Sequence, residues 1–185
     1  MRLENSFEVP APPEQAWALL MDVPRIIPCM PGAKLEEAVD EANWKATMAV
    51  TLGPISLTFK TDVKREEADE AARRAKLSAK AREARGRGNA SATIESSLTP
   101  QNSGTRVDIA TDLQLAGAVA QYGRGLVQDV SSQLVTQFAD CLKAQLAASP
   151  EEAAAAIEAQ ARPVRGLRLG FRALWRSLRG LFRRR

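Results

Sequence analysis

The 185-residue chain has no histidine, one tyrosine and two cysteines. Without histidine there is no imidazole for acid–base catalysis, no Ser-His or Cys-His nucleophile pair, and little scope for zinc. Cys29 and Cys141 stand far apart in sequence and suggest neither a disulfide framework nor a zinc pattern. Cys29, within Pro28-Cys29-Met30-Pro31-Gly32, reads as a small apolar filler of a stiff loop. No apolar run is long enough to cross a bilayer as a helix. The opening residues Met1-Arg2-Leu3-Glu4-Asn5 lead into no apolar signal core, so a cytoplasmic protein is expected. The acids Asp62, Glu95, Asp108 and Asp112 are dispersed, and nothing pairs them at a catalytic spacing.

Acids are also missing locally. The chain carries 26 Lys+Arg and 22 Asp+Glu, a formal +4, but residues 162–185 hold nine arginines and no acid. The other 161 residues then carry 17 basic and 22 acidic groups, a net of −5. An acidic body with a cationic end behaves as two physical objects on one chain.

What is present is mostly apolar alternation. Leu3, Asn5, Phe7 and Val9 share one face of a half-buried strand over 2–9. Pro12 and Pro13 open a short helix carrying Trp17, Leu19 and Leu20, since proline is accepted in a first turn. Asp22-Val23-Pro24 breaks it, and a second short turn covers 25–27. From residue 33 the period is two. Successive inward rows are Trp44, Ala46, Met48, Val50 and Leu52; Ile55, Leu57, Phe59, Thr61 and Val63; Ala75, Leu77, Ala79 and Ala81; Ala90, Ala92, Ile94 and Leu98; and Val107, Ile109, Leu113 and Leu115. Gly53-Pro54, Gly86–Gly88 and Asn102-Ser103-Gly104 mark turns between them. The alanine-rich stretch 73–85 is also compatible with a helix. One wet face throughout predicts an antiparallel sheet. Over 117–147 the spacing turns helical, through Val119, Tyr122, Leu126, Val130, Leu134 and Phe138. The economical packing is a curved sheet around that helix. Small inward residues (Ala46, Ala75, Ala79, Ala81, Ala90, Ala92) leave room for a cavity, unless larger helix side chains fill it. The basic run Arg73, Arg74, Lys76, Lys80, Arg82, Arg85 and Arg87 reads as a solvated strand face or a partner site.

In order and spacing these features resemble the family of the carbon monoxide dehydrogenase G subunit, within the START/Bet v 1-like helix-grip superfamily. The matching motifs are Pro10-Ala11-Pro12 with Trp17, Pro28-Cys29-Met30-Pro31-Gly32, Gly53-Pro54-Ile55 with Phe59-Lys60, Gly86-Arg87-Gly88-Asn89-Ala90, Gly104-Thr105, Gly117-Ala118-Val119-Ala120-Gln121-Tyr122-Gly123, and Gln137-Phe138. The resemblance covers roughly 1–147. It implies an α+β helix-grip fold: a curved antiparallel sheet of about seven strands around a long C-terminal helix, with two short helices and an apolar ligand cavity. It also implies an accessory, non-catalytic role. Such a protein recruits a carbon monoxide dehydrogenase-type molybdenum hydroxylase to the inner membrane and links it to the quinone pool. No covalently bound cofactor is expected; the expected ligand is a quinone or a lipid.

Cavity candidates are Trp17, Met30, Met48, Leu57, Phe59, Leu77, Leu113, Tyr122 and Leu126, each equally readable as ordinary core. A buried Tyr122 hydroxyl needs a partner, which a quinone carbonyl or a backbone carbonyl supplies. Gly123 and Gly125 weaken a helix and suggest a close approach of sheet or ligand.

The expected organisation is a helix-grip domain over 1–148, an Ala/Glu-rich linker over 149–163 and an amphipathic tail over 164–185. At 100° per residue, Arg165, Arg168, Arg172, Arg176, Arg179 and Arg183 fall within an arc of about 80°. Leu167, Phe171, Leu174, Trp175, Leu178, Leu181 and Phe182 fall opposite. This is the pattern of an interfacial helix on the anionic inner-membrane surface. Docking into a protein groove or onto the chain's own acidic domain are the alternatives. A nucleic-acid arm would not need seven large apolar residues on the opposite face. Three functions from different classes remain: a ligand-carrying accessory protein, a protein-only recruitment adaptor, and a small-molecule enzyme.

Overall fold

The computed structural model describes residues 1–52 and 55–147, without the side chains of Leu52 and Tyr122. The expected Gly53-Pro54 turn, the 149–163 linker and the 164–185 tail lie outside the described residues.

The elements run β1 Arg2–Val9, α1 Pro13–Met21, α2 Val23–Ile26, a 3-10 turn Ile27–Cys29, then β2 Ala33–Ala38, β3 Asn43–Leu52, β4 Ile55–Asp69, β5 Arg74–Glu83, β6 Gly88–Gln101 and β7 Gly104–Gly117. A second 3-10 turn, Ala118–Tyr122, leads into α3, Gly123–Ala147. The strands form one antiparallel sheet in the order β1-β7-β6-β5-β4-β3-β2. This is the α+β architecture that the alternation predicts. The alanine-rich 73–85 stretch is a strand because β4 and β6 pair with it on both sides. Such pairing overrides a local helical preference.

The interior has two zones. One is a solid core in which Trp17 and Leu19 of α1, Cys29, Ala75, Leu98 and Val107 pack with Phe138, Cys141 and Leu142 of the C-terminal half of α3. Phe7 meets Phe138 edge-on at 6.1 Å. The other zone lies under the N-terminal half of α3 and is hollow.

Three sequence expectations change here. Cys29 is not an isolated filler: it forms a disulfide with Cys141, their Cα atoms 5.4 Å apart. Both are buried, and the bond ties the Ile27–Cys29 turn to α3. Sequence separation hides the pair; antiparallel return of the chain closes it. Buried Gln145 donates from Nε2 to the Cys29 sulfur at 3.0 Å and accepts at Oε1 from Arg25 Nε at 3.1 Å. The long helix does not run unbroken from 117. Gly117 (φ 76°, ψ −155°) and Gly123 (φ 73°, ψ 155°) adopt backbone conformations open essentially to glycine, bracketing the Ala118–Tyr122 turn. Finally, a Cβ at Gly123 or Gly125 would meet nothing within 4 Å. Among the described residues no part of the sheet comes close to these glycines; Gly123 breaks the chain direction.

Candidate ligand cavity

Between the sheet and the N-terminal half of α3 is a cavity of about 370 Å³. Its floor is Leu3 of β1, Met48 and Val50 of β3, Leu57, Phe59 and Thr61 of β4, Ala79 and Ala81 of β5, Ala90, Ala92 and Ile94 of β6, and Thr111, Leu113 and Leu115 of β7. Its roof is Val119, Val127, Val130, Ser131, Leu134 and Val135. The volume falls in the range of small-molecule sites. It exists because four alanines sit at the centre of the floor. A strand residue projects only as far as its side chain, and β-branched residues on the facing helix do not reach down to alanine.

Of the residues singled out in the sequence, Met48, Leu57, Phe59 and Leu113 line this cavity. Trp17 and Met30 do not: Trp17 is buried in the solid core and Met30 packs against it. Leu77 faces the interior between Ala75 and Ala79 but is not among the lining residues. Leu126 is 39 % exposed and turned away. The side chain of Tyr122 is outside the described residues. Of the six small inward residues, Ala79, Ala81, Ala90 and Ala92 line the cavity, whereas Ala46 and Ala75 do not.

Of the expected stripe, Val119, Val130 and Leu134 line the roof and Phe138 is buried below it, whereas Leu126 is exposed; Val127, Ser131 and Val135 were not singled out. The operative face is Val127, Val130, Ser131, Leu134, Val135 and Phe138, with i, i+3, i+4 spacing. That spacing is present in the sequence and is the signal that locates it.

Among the described residues, no charged side chain lines the cavity. Ser131 Oγ accepts from Asn5 Nδ2 at 3.3 Å. The nearby Glu83 ends the inner row of β5 and is 5 % exposed. Its carboxylate accepts from the backbone N–H of Arg85 at 2.8 Å and of Arg87 at 3.1 Å, organising the β5–β6 turn. Burial pushes its pKa up, but those N–H groups and the Arg87 charge outweigh burial and hold it below the ordinary value.

Charge is uneven outside the cavity. On the outer face, Lys76 meets Glu95 at 3.4 Å, and Lys80 stands opposite Asp62. Arg82 stands opposite Lys60, a like-charge pair. The β5–β6 turn adds Arg85 and Arg87. None of Lys60, Arg82, Arg85 and Arg87 forms a salt bridge among the described residues. The basic run is therefore divided: faced by acids along the strand, and without salt bridges among the described residues at the end of the sheet next to the cavity, where Arg87 acts on the Glu83 carboxylate. No helix among the described residues is long and apolar enough to cross a membrane.

Residues 6–147 match the family model of the carbon monoxide dehydrogenase G subunit, CoxG. The chain belongs to the CoxG family. The family's name makes its members subunits beside that dehydrogenase, and the match ends where α3 ends. No curated protein matches the sequence. Among solved structures, the chain is similar to a conserved protein of Geobacillus kaustophilus, with TM-score 0.66 and 23% identity over 75% of this chain and 90% of that one. It is similar to TTHA0849 of Thermus thermophilus, with TM-score 0.53 and 18% identity over 76% and 95%. It also resembles the Zhui aromatase/cyclase of Streptomyces sp. R1128, with TM-score 0.52 and 14% identity over 90% and 99%. At these identities the likenesses establish the helix-grip fold shared by this CoxG-family chain.

Proposed function

We propose that this CoxG-family protein is a non-catalytic accessory of a carbon monoxide dehydrogenase-type molybdenum hydroxylase. It holds an apolar quinone-like ligand in the cavity under α3. Its tail places it on the inner face of the membrane, where it links the dehydrogenase to the quinone pool. The observation that carries the ligand reading is an apolar cavity of about 370 Å³ in a domain that has a fully packed core elsewhere. Apolar side chains left without packing partners forfeit packing energy, so a fold that retains such a cavity has a use for it. Among the described residues the lining offers no acid, base or nucleophile pair, which argues against turnover of the aromatase/cyclase kind.

The uneven charge supports an orientation. An acidic body as a whole is repelled by an anionic leaflet, but Lys60, Arg82, Arg85 and Arg87 give one end of the domain the opposite sign. That end adjoins the cavity. With residues 164–185 acting as an interfacial helix, the cationic end favours a posture in which the cavity lies towards the lipid.

Organic extraction of the purified protein is expected to release quinone or lipid, and added short-chain quinone to raise its melting temperature. Ligand at 100 times its Kd would add about 2.7 kcal/mol to stability. An empty extract together with an unchanged melting temperature sinks the carrier reading.

A further inference from the structure

Between β7 and α3 the chain is held to the domain by very little. From Ala116 to Leu126 the described side chains are exposed, with one exception: Val119, at 3 %. Val119 lines the cavity. It fits there because Gly88 of β6 has no side chain; a Cβ at Gly88 would come within 2.9 Å of Val119 Cγ2. The turn that carries Val119 is bounded by Gly117 and Gly123, both with positive φ. Gly117 rests on the backbone of Arg87 and Gly88, whereas Gly123 stands in open space. A segment held by one buried apolar side chain opens at low free energy. Hinges are a few element-terminal residues that absorb a change in φ and ψ.

The surroundings point to what meets this segment. Leu126 is a large apolar side chain left exposed, two residues after the exposed Arg124. Pairing of Gly88 with Gly117 sets the β5–β6 turn, with Arg85 and Arg87, beside the same segment. An exposed apolar residue with arginines on both neighbouring segments matches an anionic lipid surface. Such a surface takes the apolar group into its acyl boundary and the cations at its head groups.

We propose that Ala118–Tyr122 is the gate of the cavity and that it opens on an anionic lipid surface. Contact of Leu126, Arg124 and the β5–β6 arginines with the bilayer draws the segment outward about Gly117 and Gly123. Val119 leaves its seat beside Gly88, and an apolar ligand passes directly between acyl chains and cavity. The inference rests on the ligand-carrier reading and adds to it the route, which spares the ligand a passage through water.

The test uses the full chain. Association and dissociation rates of 2-methyl-1,4-naphthoquinone are measured by stopped-flow fluorescence for the wild type, Val119→Ala, Val119→Ile and Val130→Ala. A gate residue sets both rates, whereas a wall residue sets dissociation. Val119→Ala is expected to speed both rates about 5- to 10-fold, as for the loss of two buried methyl groups, and Val119→Ile to slow both. Val130→Ala, which trims a roof valine outside the gate, is expected to speed dissociation alone. Should Val119→Ala melt below the assay temperature, Val119→Ile decides. In a second assay, transfer of decylubiquinone from phosphatidylglycerol vesicles is timed. Leu126→Ser, at an exposed position, is expected to slow this transfer about 3-fold or more and to leave the rates for 2-methyl-1,4-naphthoquinone without vesicles unchanged. Association unchanged by the Val119 substitutions overturns the gate while the carrier reading stands. Transfer unaffected by Leu126→Ser overturns the lipid surface as what opens it. Failure of the wild type to bind either quinone overturns the carrier reading, and the gate with it.

Discussion

Glu83 shows how one side chain shapes the rim of the cavity. It sits at an inward position of β5, where alternation calls for an apolar residue, and stays charged because two backbone N–H groups point at it. Its folded pKa lies below the ordinary glutamate value. A depressed carboxylate pKa adds stability above the ordinary carboxylate range, and that stability is lost as pH falls through the folded value. Glu83→Gln is therefore expected to lower the melting temperature at neutral pH, with the gap to the wild type closing as the pH drops below about 4.3. Thermal unfolding between pH 7 and 3 measures this. A gap that stays constant with pH would mean that the carboxylate charge is not what holds the turn. Among cavity residues, Met48, Leu57, Phe59 and Leu113 were readable from their positions in strand rows. Thr61 was readable only as one more inward residue.

At the scale of the element, α3 carries two roles along its length. Its N-terminal half roofs the cavity, and its C-terminal half packs into the solid core and is fastened through Cys141 to Cys29. A cross-link over 112 residues of sequence restricts the unfolded chain by an amount worth about 2–4 kcal/mol in typical proteins. Its burial keeps attacking thiols away, since exchange needs access. The two glycines at the start of α3 look alike in sequence and differ in structure. Gly123 has φ 73° and ψ 155°; Gly125 lies within the helix without positive φ. A Cβ at either has open space, so backbone conformation alone decides. Gly123→Ala is expected to destabilise by about 1–3 kcal/mol. Gly125→Ala is expected to stabilise by about 0.5–1 kcal/mol. Urea unfolding of the two variants checks the opposite signs, and the same sign for both would contradict the break at Gly123.

For the whole molecule, the division of charge matters more than its total of +4. The arginine-rich tail is expected to hold the protein on anionic lipid, each arginine contributing about 1 kcal/mol near the surface. Flotation with anionic and neutral vesicles is expected to retain the full chain on anionic vesicles only, with loss on deletion of 162–185. Equal flotation of the two chains would refute the tail as anchor. Reversal of Arg82, Arg85 and Arg87 to glutamate in the full chain is expected to weaken binding further at low salt, and less so at physiological salt, where screening is stronger.

The sequence by itself determined the sheet and the helix. Alternation with one wet face requires a sheet with one dry face, and a helical stripe of 25 or so residues has nothing else to cover. It also carried the family, because proline- and glycine-flanked motifs keep their order. Tertiary structure decided which of the inward residues meet empty space. Trp17, Met30 and Met48 are all apolar and inward, yet the first two belong to the solid end and the third to the hollow one. The difference depends on what stands opposite across the interior, which no single strand or helix encodes. The disulfide is decided the same way, by partners brought near through the folding of distant segments.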